Sequence, residues 1–206
     1  MEKTDLTKLY KRYYTAAKKP ELIDVEQARY IAVPGKGDPS GELFALCVEA
    51  LYTVAYTIKF ASKAEGNDFT VAKLEGLWSF DENKYNKVSA TDAPAQVPRS
   101  EWNYRLLIRM PDHITSGHLN EAVKAAFEKK QKQEINKVEW FEMEAHKAVQ
   151  MLHTGAFDKE PETLALIGKF MEQGKLVKKG AHHEIYLSDF RKTSAEKLRT
   201  ILREPV

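Results

Sequence analysis

The stretch His182-His183-Glu184-Ile185-Tyr186-Leu187-Ser188-Asp189 sets a carboxylate two residues from an imidazole and two from a phenol. Side chains alternate along a strand, so His182, Glu184, Tyr186 and Ser188 share one face, and Ile185 and Leu187 point to the other. Turned into a cleft, Glu184 needs a hydrogen-bond partner or a cationic ligand. Turned into water, it is an ordinary solvated residue, and glutamate is seldom fully buried. The other residues able to act with it are Glu75, Trp78, Trp102, Trp140, Tyr52 and Tyr56. Aromatics around one acid suit a flat ligand, apolar or cationic, held by stacking and cation–π contact. The same set also suits an aromatic-rich core.

Other chemistries fit less well. His182-His183, His113 with His118, and His146 with His153 do not make a metal-ligand spacing, and no His-Glu-x-x-His or cysteine pair is present. Neither a metal nor a cofactor is expected. Cys47 falls on an apolar helix stripe and reads as an inert buried thiol. Gly35-Lys36-Gly37-Asp38 lacks the Gly-Lys-Ser/Thr ending of a phosphate loop. No serine sits in a strand-to-helix elbow.

Positioning these side chains requires strands and helices in a definite order. Residues 4–17 are weakly helical, and Pro20 stops that pattern. Residues 22–25 and 29–33 read as strands, followed by a turn over 34–39. Ser40 is placed to cap a helix over about 41–63, with Leu43, Cys47, Ala50, Val54 and Ile58 on its stripe. Tyr52 and Tyr56 lie on a neighbouring face. Residues 69–80 and 102–110 read as strands, with a bulge or a close approach at Gly76. The connection 81–100 is expected to lack structure. Thr115 caps a helix at 117–130. Strands follow at 138–143 and 148–153, then a helix at 163–173 that opens near Pro161 and ends at Gly174. Strand pieces are expected at 176–177 and 183–188. The tail 194–206 reads equally as a short helix or an edge strand.

The order strand-helix-strand-strand occurs twice. It implies an α+β fold in which a tandem repeat forms one antiparallel sheet, with helices on one face and a ligand cleft on the other. We read 1–206 as a single domain with halves 20–113 and 138–206, joined by the helix 115–130. The chain has 206 residues, 43% hydrophobic, with 30% charged and a net charge of +2. That is enough for a real core, and the mixed charge gives no reason to expect direct nucleic-acid binding. One cysteine excludes an internal disulfide and fits a reducing cytoplasm. No apolar run is read as membrane-spanning. A monomer or a homodimer is expected.

Beyond this physical reading, the chain resembles the GyrI-like small-molecule-binding proteins in their stand-alone form. The resemblance runs through Lys19-Pro20-Glu21-Leu22-Ile23-Asp24-Val25, Gly35-Lys36-Gly37-Asp38-Pro39, Glu49-Ala50-Leu51-Tyr52 and Ala55-Tyr56-Thr57-Ile58-Lys59-Phe60. It continues in Leu74-Glu75-Gly76-Leu77-Trp78, Met110-Pro111-Asp112, His153-Thr154-Gly155, the stretch 183–189, and Lys197-Leu198-Arg199-Thr200-Ile201-Leu202-Arg203. It implies the tandem fold and a central cleft whose glutamate faces the ligand. In regulators of this kind the glutamate is the counter-charge for lipophilic cationic drugs, and some stand-alone members open the cyclopropane of DNA-alkylating antibiotics. Two positions depart from the pattern. Phe190 stands where proline is frequent, and Phe157 where tyrosine is common. No helix-turn-helix pattern precedes residue 20, which disfavours the regulator form.

For the hydrolysis that the resemblance implies, we read Glu184 as general base and Tyr56, on the long helix, as its assistant, with Glu75 beside the Gly76 irregularity as the rival base. Trp78, Trp102, Tyr186, Glu75, Tyr52 and Trp140 are the expected ligand-binding residues. Two functions stay open. One is binding of flat hydrophobic aromatics with hydrolysis of a cyclopropane-bearing toxin. The other is a non-catalytic module that sequesters or senses drugs, or acts on a topoisomerase.

Overall fold

A computed structural model describes residues 3–85, 88 and 92–206. The elements run β1 (Thr4–Asp5), α1 (Leu6–Leu9), β2 (Glu21–Val25), β3 (Ala28–Lys36), α2 (Glu42–Ala64), β4 (Phe69–Thr70) and β5 (Leu74–Ser79). They continue with α3 (Ala93–Gln96), β6 (Asn103–Arg109), α4 (Ser116–Lys130), β7 (Glu139–Met143), β8 (His146–Thr154), α5 (Glu160–Gln173), β9 (His182–Tyr186) and β10 (Arg199–Pro205). The α+β reading stands, with eight strands in one antiparallel sheet of order β2-β8-β10-β9-β5-β6-β3-β7. A parallel pair, β1 with β4, stands apart from it.

Each half is a strand-helix-strand-strand unit, β3-α2-β5-β6 and β8-α5-β9-β10. The halves meet where β5 pairs with β9, Gly76 lying opposite Glu184. Each half also lends its leading strand to the other: β2 pairs with β8, and β7 with β3. Only Glu26 and Gln27 connect β2 to β3, so Val25 and Ala28 are at most about 11 Å apart. The sheet therefore curls until the edge carrying β2 approaches the β3 side.

Several local expectations are corrected. Apart from a 3₁₀ turn at Ala195–Lys197 the tail is a strand, and not an edge. As β10 it lies between β8 and β9, because Thr200, Ile201 and Leu202 are buried on both sides of a strand. The run 69–80 breaks into β4 and β5. No strand forms at 176–177. Residues 4–17 hold only β1 and the short α1. The segment 81–100 contains α3 and a 3₁₀ turn at Arg99–Glu101, while 86, 87 and 89–91 lie outside the described residues. Gly41, not Ser40, caps α2, since the Ser40 hydroxyl donates to Asp38 at 2.7 Å. At Gly174 the helix ends as read, but Lys175 takes the left-handed conformation, φ 51°.

Helices α2 and α5 pack on the same face. Directly opposed residues of an antiparallel pair share a face, so Trp78, Tyr104 and Gly35 point together, as do Gly76, Glu184, Leu202 and Met151. Phe44 of α2 stacks on Trp78 with centroids 5.9 Å apart, and Leu51, Val54 and Ala55 are fully buried beneath the helix. Burying each Leu or Val is worth about 1.5–3 kcal/mol, which anchors α2 more firmly than helix propensity does. By length and composition α2 is apolar enough to cross a bilayer, contrary to the sequence reading, yet half of its apolar window is buried within the fold. On the other half of the sheet, Leu164 and Ile167 of α5 cluster with Val149, Met151 and Leu202.

The opposite face is closed by residues 6–20. There the Glu75 carboxylate accepts from the Tyr13 hydroxyl at 2.5 Å and contacts His183 Nε2 at 2.8 Å. Arg203 donates from Nε to Gln150 at 2.8 Å and also donates to the Tyr13 carbonyl, with its guanidinium 4.3 Å from the Tyr13 ring.

Candidate functional site

The middle of the sheet, between α2 and the start of α5, carries a row of linked side chains from β5, β9 and β10. Trp78 donates from Nε1 to the Tyr186 hydroxyl at 3.1 Å, and that hydroxyl donates to Glu184 Oε2 at 2.6 Å. Gly76 makes this approach possible. A Cβ there would sit 2.8 Å from Trp78 Nε1 and 3.1 Å from the Tyr186 oxygen. Pairing with β6 and β9 runs through Gly76 unbroken, so the glycine marks a close approach and not a bulge.

Glu184 is flanked on its other side by His182, whose Nε2 lies 3.2 Å from Glu184 Oε1 but out of line for a hydrogen bond. Nδ1 of the same ring is 2.7 Å from Glu204 Oε1, and Lys178 Nζ is 3.2 Å from Glu204 Oε2. Burial alone would lower the His182 pKa. The charge of Glu204 and then the contact with Glu184 outweigh burial and raise it to about 10, so the ring is an imidazolium at neutral pH. Glu204 is likewise pushed up by burial, but the imidazolium more than reverses this and holds it low. Burial first, and Glu184 next, hold the Tyr186 phenol well above its ordinary range, keeping it a hydrogen-bond donor.

At the head of α5, Glu160 is 8% exposed, and its Oε1 has no hydrogen-bond partner among the described residues. Burial, then repulsion from Glu184, pushes its carboxyl well above the usual range, which favours the neutral form. His153 faces Thr163 of α5, Nδ1 lying 2.9 Å from the hydroxyl.

Outside this row lies a groove of about 550 Å³, lined by Phe44, Val48, Tyr52 and Tyr56 of α2, by Pro39–Gly41, and by Phe190 and Arg191. One aromatic layer separates groove from acid. Phe190 packs edge-on to Tyr186 at 6.3 Å, Phe157 to Tyr186 at 6.0 Å, and Phe44 stacks on Trp78. Tyr52 and Tyr56 stack at 6.4 Å along the groove wall, with the Arg191 guanidinium 5.7 Å from the Tyr52 ring.

The expected site residues thus divide. Glu184, Tyr186 and Trp78 are joined by hydrogen bonds, and Trp102 lies edge-on to Trp78 at 5.8 Å, its own Nε1 donating to the Val97 carbonyl. Tyr52 and Tyr56 line the adjoining groove, Tyr56 being 45% exposed. Glu184 lies in the gap on the helix-bearing face, whereas the sequence reading placed it on the face free of helices. Glu75 is on the opposite face, fully buried under Tyr13. Trp140 is on β7, four strands from β9 and roughly 19 Å away along the sheet; its Nε1 donates to Glu142 at 3.1 Å.

Sequence reasoning missed Glu160, Glu204, Lys178 and Phe44. Glu204 could have been found only by knowing that the tail is a strand beside His182. Glu160 reads as an ordinary first-turn acid next to Pro161. Among the described residues, no group of three His, Cys, Asp or Glu side chains is arranged to hold a metal ion.

Residues 18–206 match the GyrI-like small molecule binding domain. Similar crystal structures include an uncharacterized conserved protein from Listeria innocua, with 37% identity over 98% of this chain and 99% of that one and a TM-score of 0.86. Another is a hydrolase from Listeria innocua, also 37% identical over 98% and 99% of the two chains, with a TM-score of 0.83. The EcmrR C-terminal domain shares the fold alone, at 8% identity over 91% and 96% of the chains and a TM-score of 0.59. No protein with a curated description matches the chain.

Proposed function

The chain belongs to the GyrI-like small-molecule-binding family, and from that premise we propose that it binds flat, apolar aromatic molecules in the groove beside α2 and adds water to a strained electrophilic ring on them. The observation that carries this reading is the Glu184 carboxylate, fixed by the Tyr186 hydroxyl at 2.6 Å directly behind an aromatic wall. The similarity to a Listeria innocua hydrolase over nearly the whole chain supports it.

For a cyclopropane conjugated to a dienone the steps balance as follows. Water oxygen bonds to the least hindered ring carbon as the strained carbon–carbon bond breaks. That electron pair moves through the dienone to the carbonyl oxygen, which becomes a phenolate. With the Phe157 and Phe190 rings that stand between it and the groove turned aside, Glu184 takes the proton from the attacking water, and protonation of the phenolate completes a net addition of one water. The developing oxyanion needs a donor, and Tyr56 on the groove wall is the residue we assign to it. Glu75 takes no part, being enclosed on the other face.

Incubation with a cyclopropane-bearing alkylator, followed by mass spectrometry, tests the reading. The expected product is heavier by one water. Glu184→Gln should retain binding while turnover drops by about 10²–10⁴, and Tyr56→Phe should lose less. An active Glu184→Gln beside a dead Glu75→Gln would move the base to Glu75. If the parent adds water to no such compound, a binding module that sequesters or senses ligands takes precedence. The low exposure of the Glu184 side chain, 12%, is the feature that suits this second reading.

A further inference from the structure

We propose that this cleft selects uncharged planar aromatics and rejects lipophilic cations, because His182 is a built-in counter-ion that already occupies Glu184. The inference rests on the cleft formed by the α2 groove and the Glu184 row behind its aromatic wall being the ligand site, and it names the class of ligand that the site takes.

The charges around Glu184 come from every element packed against it. From β9 comes His182, 3.2 Å from Glu184 Oε1. From β10 comes Glu204, 2.7 Å from the other nitrogen of His182. The segment before β9 supplies Lys178, 3.2 Å from Glu204. From α5 comes Glu160, whose neutral form is favoured by burial first and by Glu184 second. Tyr186 stays a neutral phenol. The Glu184 and Glu204 carboxylates thus already face two cations, His182 and Lys178. In the groove outside, Glu49 is paired with Lys132 at 2.6 Å, and Arg191 with Asp189 at 3.0 Å. None of these charges is left over for a ligand.

A ligand cation placed beside Glu184 therefore meets an ion pair, not a lone carboxylate. It loses its own hydration without gaining a counter-charge. Were it to displace His182, the imidazolium would be left buried against the new cation. A neutral ring meets neither cost and keeps the stacking surface of Phe44, Phe190 and Tyr186.

Acridine and 10-methylacridinium have the same tricyclic ring, but at mildly alkaline pH only the second is charged. Quenching of intrinsic tryptophan fluorescence reads the affinity of each. The parent protein should bind acridine more tightly than methylacridinium, by about tenfold or more. His182→Gln removes the counter-ion, so its affinity for methylacridinium should rise by about tenfold or more while acridine changes little. Lys178→Met alters a partly exposed side chain and leaves His182 on Glu204, so it is the milder change. It should shift the ratio in the same direction by less. Equal binding of both dyes by the parent, with neither substitution changing the ratio, would overturn the inference and leave the cleft reading intact. Failure of all three proteins to bind either dye would remove both.

Discussion

The Tyr186 hydroxyl serves two partners, accepting from Trp78 and donating to Glu184, and the space for this comes from a missing side chain. Gly76→Ala would drive a methyl into the Trp78 and Tyr186 contacts. Neither ring can withdraw easily, because Trp78 is stacked on Phe44 and Tyr186 is packed by Phe157 and Phe190. The expected cost is about 1–3 kcal/mol, with a loss of ligand affinity. Urea unfolding and dye titration together check it, and an unchanged protein in both assays would contradict the assigned role of Gly76. His182 makes a second prediction at this scale. Its pKa is raised by folding, so the imidazolium stabilises the native state fully at pH values below its ordinary range near 6.5. That contribution is lost as pH rises through about 10. The parent should therefore lose stability relative to His182→Gln over this window, at up to about 1.4 kcal/mol per pH unit. Parallel stability–pH curves for the two proteins would rule the buried imidazolium out.

At the scale of elements, the helices were legible and the N-terminal segment was not. The period of 3.6 in residues 47–58 describes the α2 stripe because that side packs on β3, β6 and α4, whereas Leu43, expected on the stripe, is exposed. Thr115 was legible as a cap, and the structure adds that its backbone N–H donates to His118 Nδ1 at 3.0 Å. Residues 6–20 have no such period. Their apolar and aromatic side chains are spaced to fit buried polar groups from four distant strands, a pattern no local window contains. Tyr13 shows this best. Its hydroxyl meets Glu75 of β5 and Tyr30 of β3, and its ring and carbonyl meet Arg203 of β10. The segment lies largely before residue 18, where the family match begins, yet it closes a face containing a buried carboxylate and a buried guanidinium. Tyr13→Phe removes the hydroxyl and leaves Glu75 short of a donor, at an expected cost of about 1–3 kcal/mol. Tyr10→Phe, at a half-buried ring over Arg109, should change stability much less. Denaturant midpoints of the two variants decide the matter. Equal effects would mean that the segment covers the face without being fitted to it.

At the scale of the molecule, the repeat of strand-helix-strand-strand was readable from element order, but the way the halves interlock was not. Nothing in residues 21–25 says that β2 will leave its neighbour β3 and pair with β8, because pairing partners are chosen by tertiary register and not by local sequence. The exchange has a consequence for folding. Each half-sheet is completed by a strand from the other, and the two join through β5 and β9. Neither half can keep its edge paired if the other opens, so unfolding should be one cooperative transition. The tryptophans make this testable. Trp78 on β5, Trp102 just before β6 and Trp140 on β7 all lie in the β3-β6-β5 half or on the strand added to it. Tryptophan fluorescence therefore follows that half alone, while far-UV circular dichroism follows helices and strands of both. Under urea the two signals should give the same midpoint and the same slope. A fluorescence transition separated from the dichroism transition would show that the half holding β8, β9 and β10 opens independently, and the exchanged strands would then not be what couples the two halves.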